Sequence, residues 1–152
     1  MERPENMNIA EMIARNRTGE WIGLPSFCTA NQQVLEAILD FAAENNFPVL
    51  IEATCNQVNQ DGGYTGMTPA DFASWVAQLA SDAGVRKDLL LLGGDHLGPN
   101  PWRNEPIEIA MQKAEKMIRC YVEAGFQKIH LDASMACGGE PRPSFAEVAR
   151  RA

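Results

Sequence analysis

Two rhythms of apolar and polar positions alternate along the chain. Short apolar runs closed by polar or Gly-rich stretches predict buried strands, and apolar positions recurring at i, i+3 and i+4 predict amphipathic helices. A leading helical segment is expected within residues 1–20, with Ile9, Met12 and Ile13 on one side. The first strand is expected at 21–27, followed by a helix from about Asn31 whose inner face is Val34, Leu35, Ile38, Leu39 and Ala42. A second strand is expected at 48–52. Thr68 as N-cap, Pro69 at the first helical position and Asp71 three residues after the cap predict a sharply started helix. Its inner positions are Phe72, Ala73, Val76, Leu79, Ala80 and Ala83, and Gly84 is suited to ending it. The run Leu89 to Leu92 predicts a third strand at 89–93. A long helix over about 105–124 turns Ile107, Ala110, Met111, Ala114, Met117, Ile118 and Tyr121 inward, and a fourth strand is expected at 128–132. Ser144 and Glu147 form a capping-box pattern that opens a last helix.

Strand and helix alternating four times, with strands apolar on both faces, predict a parallel sheet of βαβ units. A doubly wound sheet and a section of a (β/α)8 barrel both fit that order. A doubly wound nucleotide-binding domain favours a Gly-rich phosphate loop after the first strand, where this chain reads Ser26-Phe27-Cys28-Thr29-Ala30-Asn31. A barrel needs roughly 250 residues. The 152 residues are therefore expected to form a single partial domain, the first four units of a TIM-type barrel belonging to a longer protein.

Composition narrows the function classes. The chain is 45% hydrophobic and carries a net charge of −7, a balance that argues against a nucleic-acid partner. No apolar run approaches the ~18 residues of a membrane span, and the N-terminus lacks the pattern of a secretory signal. Cys28, Cys55, Cys120 and Cys137 lie at wide, irregular spacings, as in reduced cytoplasmic proteins.

The unusual polar residues fall at the C-terminal ends of the expected strands, the face on which barrel enzymes build their sites. Ser26, Cys28, Thr29 and Asn31 follow the first strand, and Glu52 through Gln60 end the second. Gly94-Asp95-His96 with Gly98-Pro99 follows the third, and the fourth contains His130, Asp132 and Ser134. The loops after strands two and three, about 16 and 12 residues, exceed the usual 4–6. Asp95-His96 joins a proton-transferring carboxylate to an imidazole suited to a metal or to base chemistry; the plainer reading is local hydrogen bonding. His130 shares a face with Lys128 and Asp132, and reads equally as a core histidine or as a ligand. Glu52 closes a buried run, and a buried carboxylate needs a partner or a shifted pKa. Asn56, Gln57 and Asn59 offer amides to sugar hydroxyls or phosphate, or simply solvate a loop. The Gly62–Gly66 stretch reads as a flap tipped by Tyr64 or as tight turns, and Gly138-Gly139 is a weak phosphate cradle. Cys28 and Cys55 read more readily as inert thiols than as ligands.

Three segments carry a family resemblance: Ile51 to Gln60 running on to Gly62-Gly63-Tyr64-Thr65-Gly66-Met67-Thr68-Pro69, then Gly93 to Trp102, then Lys128 to Met135. Together they closely resemble the non-catalytic (accessory) subunit family of class II tagatose-1,6-bisphosphate aldolases, over nearly all of the chain from Trp21. The resemblance implies a complete barrel of which this chain is about the N-terminal third. It also implies a role in galactitol or N-acetylgalactosamine catabolism, with a zinc-dependent catalytic aldolase subunit as partner. More distantly the chain is similar to the class II aldolases themselves. That likeness places a proton-transferring role on Asp95 and a zinc-ligand role on His96, and echoes an aldolase strand-four segment in Leu131-Asp132-Ala133-Ser134. Glu52 stands where those aldolases usually have Gln.

Two functions compete on this reading. One is an accessory subunit that binds and stabilises an aldolase. The other is a metal-dependent aldolase or 4-epimerase acting on a phosphorylated ketose, with Asp95 moving the proton, His96 on the metal, and Glu52, Asn56, Gln57, Asp132 and Ser134 contacting substrate. The chain alone is expected to be inactive and to hold Zn2+ or another divalent metal only weakly, since zinc sites normally use three protein ligands and water.

Overall fold

The computed structural model describes residues 9–141 and 143–151, so residues 1–8 of the expected leading segment lie outside the described residues. The elements in order are α1 (Ile9–Arg17), β1 (Ser26–Cys28), α2 (Gln32–Asn45), β2 (Val49–Thr54), α3 (Pro69–Asp82), β3 (Leu90–Leu97), α4 (Ile107–Glu123), β4 (Lys128–Leu131) and α5 (Phe145–Arg151). Short 3-10 turns at Lys87–Leu89 and Asn100–Trp102 flank β3. All neighbouring strands are parallel, in the order β1-β2-β3-β4. A doubly wound sheet reverses its strand order at a switch point; these four strands do not. The fold is α/β, with the strand order of a (β/α)8 barrel section.

The helix boundaries follow from local chemistry. The Asn31 side chain accepts from the Val34 N–H to start α2, and Asn46, in the left-handed region at φ 49°, ends it by donating to Ala42 and Ala43. Thr68 and Asp71 form the reciprocal capping box of α3, with Pro69 at its first turn. Ser144 and Glu147 likewise bond across the start of α5.

The side chains of β2 divide between two environments. Val49, Ile51 and Ala53 belong to the buried core with Leu35 and Leu39 of α2, Phe72 and Val76 of α3, and Ala114, Met117 and Tyr121 of α4. Phe126 stacks on Phe72 at 6.3 Å between ring centroids and meets Tyr121 at 4.5 Å with the rings tilted by 59°. Leu50, on the opposite face, lines a cavity of about 290 Å³ together with Lys128 and with Met12 and Ile13 of α1. That opposite face also carries Glu52, and it is where the polar chemistry gathers.

Three expectations change. β1 starts at Ser26 rather than residue 21, because Gly23 and Pro25 interrupt the run and Pro has no N–H for a ladder; Trp21 is fully exposed. β3 continues to Leu97, four residues past the expected end, because its ladder with β2 runs on through Thr54 and Asp95. Val34 and Met111, expected inward, are exposed. Val34 instead lines an apolar groove of about 480 Å³ with Pro25, Phe27, Ile38 and Phe41, beside the unpaired edge of β1.

Candidate functional site

Register places Cys28, Glu52, Gly93 and Lys128 in one row across the four strands. Gly93 is the gap in that row. A Cβ there would lie 2.6 Å from Glu52 Oε1, so its absence lets the Glu52 side chain cross β3 toward β4. Glu52 is buried and forms an ion pair with Lys128 at 2.5 Å, while the Ser26 hydroxyl donates to its other oxygen. The buried carboxylate thus has the partner it requires.

One row higher, Thr54 pairs with Asp95. Beyond it the ladder is irregular: Gly94 faces Ile129 and Leu97 faces Leu131, so three steps on β3 oppose two on β4. This bulge is carried by His96, whose φ of 50° lies in the left-handed region that non-glycine residues seldom occupy. Strict alternation would send Asp95 and His96 to opposite faces; the bulge brings both into one cluster. His96 Nδ1 lies 3.1 Å from Asp95 Oδ2, and His130 Nδ1 lies 2.8 Å from Asp95 Oδ1. Lys128 donates to the same Oδ1 at 3.1 Å. The two imidazoles sit 4.4 Å apart between centroids, tilted by 58°.

Electrostatics follow from this packing. Partial burial works to raise the Asp95 pKa, but the hydrogen bonds from His130, His96 and Lys128 outweigh it and hold the carboxyl well below the usual range. Burial likewise opposes the charge on Lys128, and Glu52 and Asp95 together raise its pKa. Burial, then the neighbouring Asp95 and Glu52 charges, push the Cys28 thiol up to about 11. Cys28 is therefore protonated at neutral pH, and all four cysteines are free.

Each of the other expected site residues has hydrogen-bond partners within the chain. Gln57 Oε1 accepts from the Thr54 N–H at 2.8 Å and from the Cys28 thiol at 3.6 Å, so its amide ties the β2 loop to β1. Asn56 Oδ1 accepts from Asn100 and links the loops after β2 and β3. Asn59 is buried, donating to Cys55 O and accepting from the Asp61 and Gly63 N–H groups. Asp132 accepts from the backbone and hydroxyl of Ser134, which lower its pKa, and lies close enough for the charges of His96 and His130 to add to that effect. Gly98 permits the close pass of the chain after β4, since a Cβ there would meet Asp132 O at 1.6 Å. Gly138 serves a similar close pass against Asn104 and Glu105. Tyr64 is exposed. Sequence reasoning gave no role to Ser26 or Lys128. The period-two spacing of Lys128 and His130 on one strand face was the available signal for the second.

Among the described residues, Asp95, His96 and His130 are the group whose ligand atoms all lie within 4.8 Å of one another. Imidazole nitrogen with a carboxylate is a donor set suited to zinc and similar divalent metals.

A D-tagatose-1,6-bisphosphate aldolase subunit GatZ/KbaZ-like family model matches residues 9–152. The chain belongs to this family. It is 54% identical over 142 residues to the D-tagatose-1,6-bisphosphate aldolase subunit GatZ of Escherichia coli O157:H7 (strain EC4115 / EHEC), covering 93% of this chain and 34% of that protein. The GatZ of Salmonella heidelberg (strain SL476) is 54% identical over 143 residues, with the same coverage. A crystal structure described as a probable tagatose 6 phosphate kinase from Sinorhizobium meliloti 1021 superposes with a TM-score of 0.76 at 54% identity, over 84% of this chain and 34% of that one. The chain thus spans about a third of the length of the GatZ/KbaZ-like relatives it matches.

Proposed function

We propose that this chain is the N-terminal part of an accessory, non-catalytic subunit that supports a class II D-tagatose-1,6-bisphosphate aldolase in galactitol or N-acetylgalactosamine catabolism. Its partner is the catalytic aldolase subunit, its compartment the cytoplasm, and its 152 residues one partial barrel domain. The observation that carries this reading is the 54% identity with proteins named as subunits of that aldolase. The state of Asp95 adds physical support. A carboxylate bonded by two imidazoles and an ammonium stays ionised far below neutral pH, whereas efficient proton transfer wants a group poised near it.

The cluster itself favours a second reading, a metal-dependent ketose-phosphate enzyme. In that case His96 holds the metal, Asp95 moves the proton, and Glu52, Asn56, Gln57, Asp132 and Ser134 face the substrate. A bound divalent metal would supply carbonyl or alkoxide polarisation. Lys128 and Glu52 would fix the Asp95 side chain, and the imidazoles, both half-exposed, would meet solvent.

One assay separates the two. The catalytic aldolase subunit is assayed for tagatose-1,6-bisphosphate cleavage with and without this protein, and the protein is assayed alone with Zn2+. The accessory reading predicts higher and longer-lived cleavage in the mixture and no turnover by the protein alone. Turnover of a ketose phosphate by the protein alone, with no effect on the aldolase, would replace it with the enzyme reading.

A further inference from the structure

Both oxygens of Asp95 are engaged, and the atoms that engage them decide the chemistry of the two histidines. Oδ1 receives His130 Nδ1 at 2.8 Å and Lys128 Nζ at 3.1 Å; Oδ2 receives His96 Nδ1 at 3.1 Å. An ionised carboxylate only accepts, so each Nδ1 facing it carries the proton, and in a neutral imidazole the lone pair then resides on Nε2. Metal-ligating histidines use this arrangement, one ring nitrogen donating to a carboxylate and the other binding the ion. Here a single carboxylate serves two rings whose centroids are 4.4 Å apart. The rings are also reachable, with side-chain exposures of 57% for His96 and 44% for His130.

Lys128 argues against Asp95 as the ligand itself. Its ammonium lies against Oδ1 and is anchored in turn by buried Glu52. A cation on that oxygen would share it with the Lys128 ammonium, which already lies 3.1 Å from it, and the two like charges would repel. Each imidazole turns its Nδ1 to Asp95, so its Nε2 lies across the ring from that carboxylate.

We infer that His96 and His130 together hold one divalent transition-metal ion through their Nε2 atoms, with Asp95 as the positioning residue that fixes both tautomers. This deepens the metal-pocket part of the proposed function: His130 becomes a ligand, and Asp95 a group acting through the ligands. It is separable from the aldolase-support role, because it concerns metal affinity alone. Nitrogen donors select ions such as Zn2+ or Ni2+ over Mg2+ or Ca2+, which take oxygen. Two protein ligands leave the remaining positions to water or to ligand oxygens.

The test uses the protein with Zn2+ alone, read by imidazole 15N NMR and by competition with a chromophoric chelator. Before metal, both histidines are expected as Nδ1–H tautomers. Zn2+ is then expected to bind at one equivalent and to shift the Nε2 resonances of both rings, with Mg2+ giving no shift. His96→Gln and His130→Gln are each expected to weaken zinc affinity at least about tenfold. Asp95→Asn is expected to mix the tautomers of both rings and to cost about 10–100-fold in affinity. The wild-type spectrum keeps the inference falsifiable even if a variant fails to fold. An Nε2–H tautomer at either ring, zinc shifts confined to other residues, or no zinc binding at all would overturn it. Unchanged affinity in folded His130→Gln would overturn it equally.

Discussion

Gly93 sets the contact between Glu52 and Lys128, because its missing Cβ is the space the Glu52 side chain occupies. Gly93→Ala must push that side chain or the backbone of β3 aside. An overpacked interior typically loses about 1–3 kcal/mol, and urea denaturation should show a loss in that range. Lys128 is the counter-ion of two carboxylates, one of them buried. Lys128→Met leaves Glu52 without its cation, which in buried pairs costs about 3–5 kcal/mol; retention of wild-type stability would contradict the pairing. The pH dependence follows from Asp95. Its pKa in the folded chain lies below the unfolded value of about 3.9. The stabilisation it contributes is therefore fully present above that value and is lost as pH falls toward the folded pKa. The stability gap between wild type and Asp95→Asn should narrow as pH falls below about 4. A gap independent of pH would detach Asp95 from its donors.

At the scale of elements, what was legible in the sequence was what is decided locally. The α3 start could be read because Thr68, Pro69 and Asp71 make their bonds within one turn. Thr68→Ala should cost about 1 kcal/mol, measurable as a lower thermal midpoint without change in secondary structure. The four parallel strands were legible because each is an apolar run followed by an amphipathic helix. The site was legible only in part. Placing Asp95, His96, Glu52 and Asp132 at strand ends needs only strand positions. The meeting of His96 with His130 depends on a bulge between β3 and β4, and register between strands 35 residues apart leaves no local mark. Gln57 and Asn59 read from the sequence either as amides offered to sugar hydroxyls or phosphate or as part of a solvated loop. In the structure their partners are backbone groups of the β2 end and of the loop itself, and the Cys28 thiol, since a long loop folded onto the sheet must satisfy its buried N–H and C=O groups internally.

At the scale of the molecule, β1 and β4 are the outer strands of an open sheet, and the apolar groove of Pro25, Phe27, Val34, Ile38 and Phe41 runs beside β1. Unpaired edges next to apolar surface promote association. The 152-residue chain by itself should therefore self-associate, with a light-scattering mass that rises with concentration; a monodisperse monomer across a wide range would contradict this. The central claim concerns association of another kind, with a catalytic aldolase subunit. Sedimentation velocity of the protein mixed with that subunit tests it most directly. The account predicts a new boundary, faster than either component and containing both. Two boundaries that sediment as they do separately, at concentrations well above those of the cell, would contradict it.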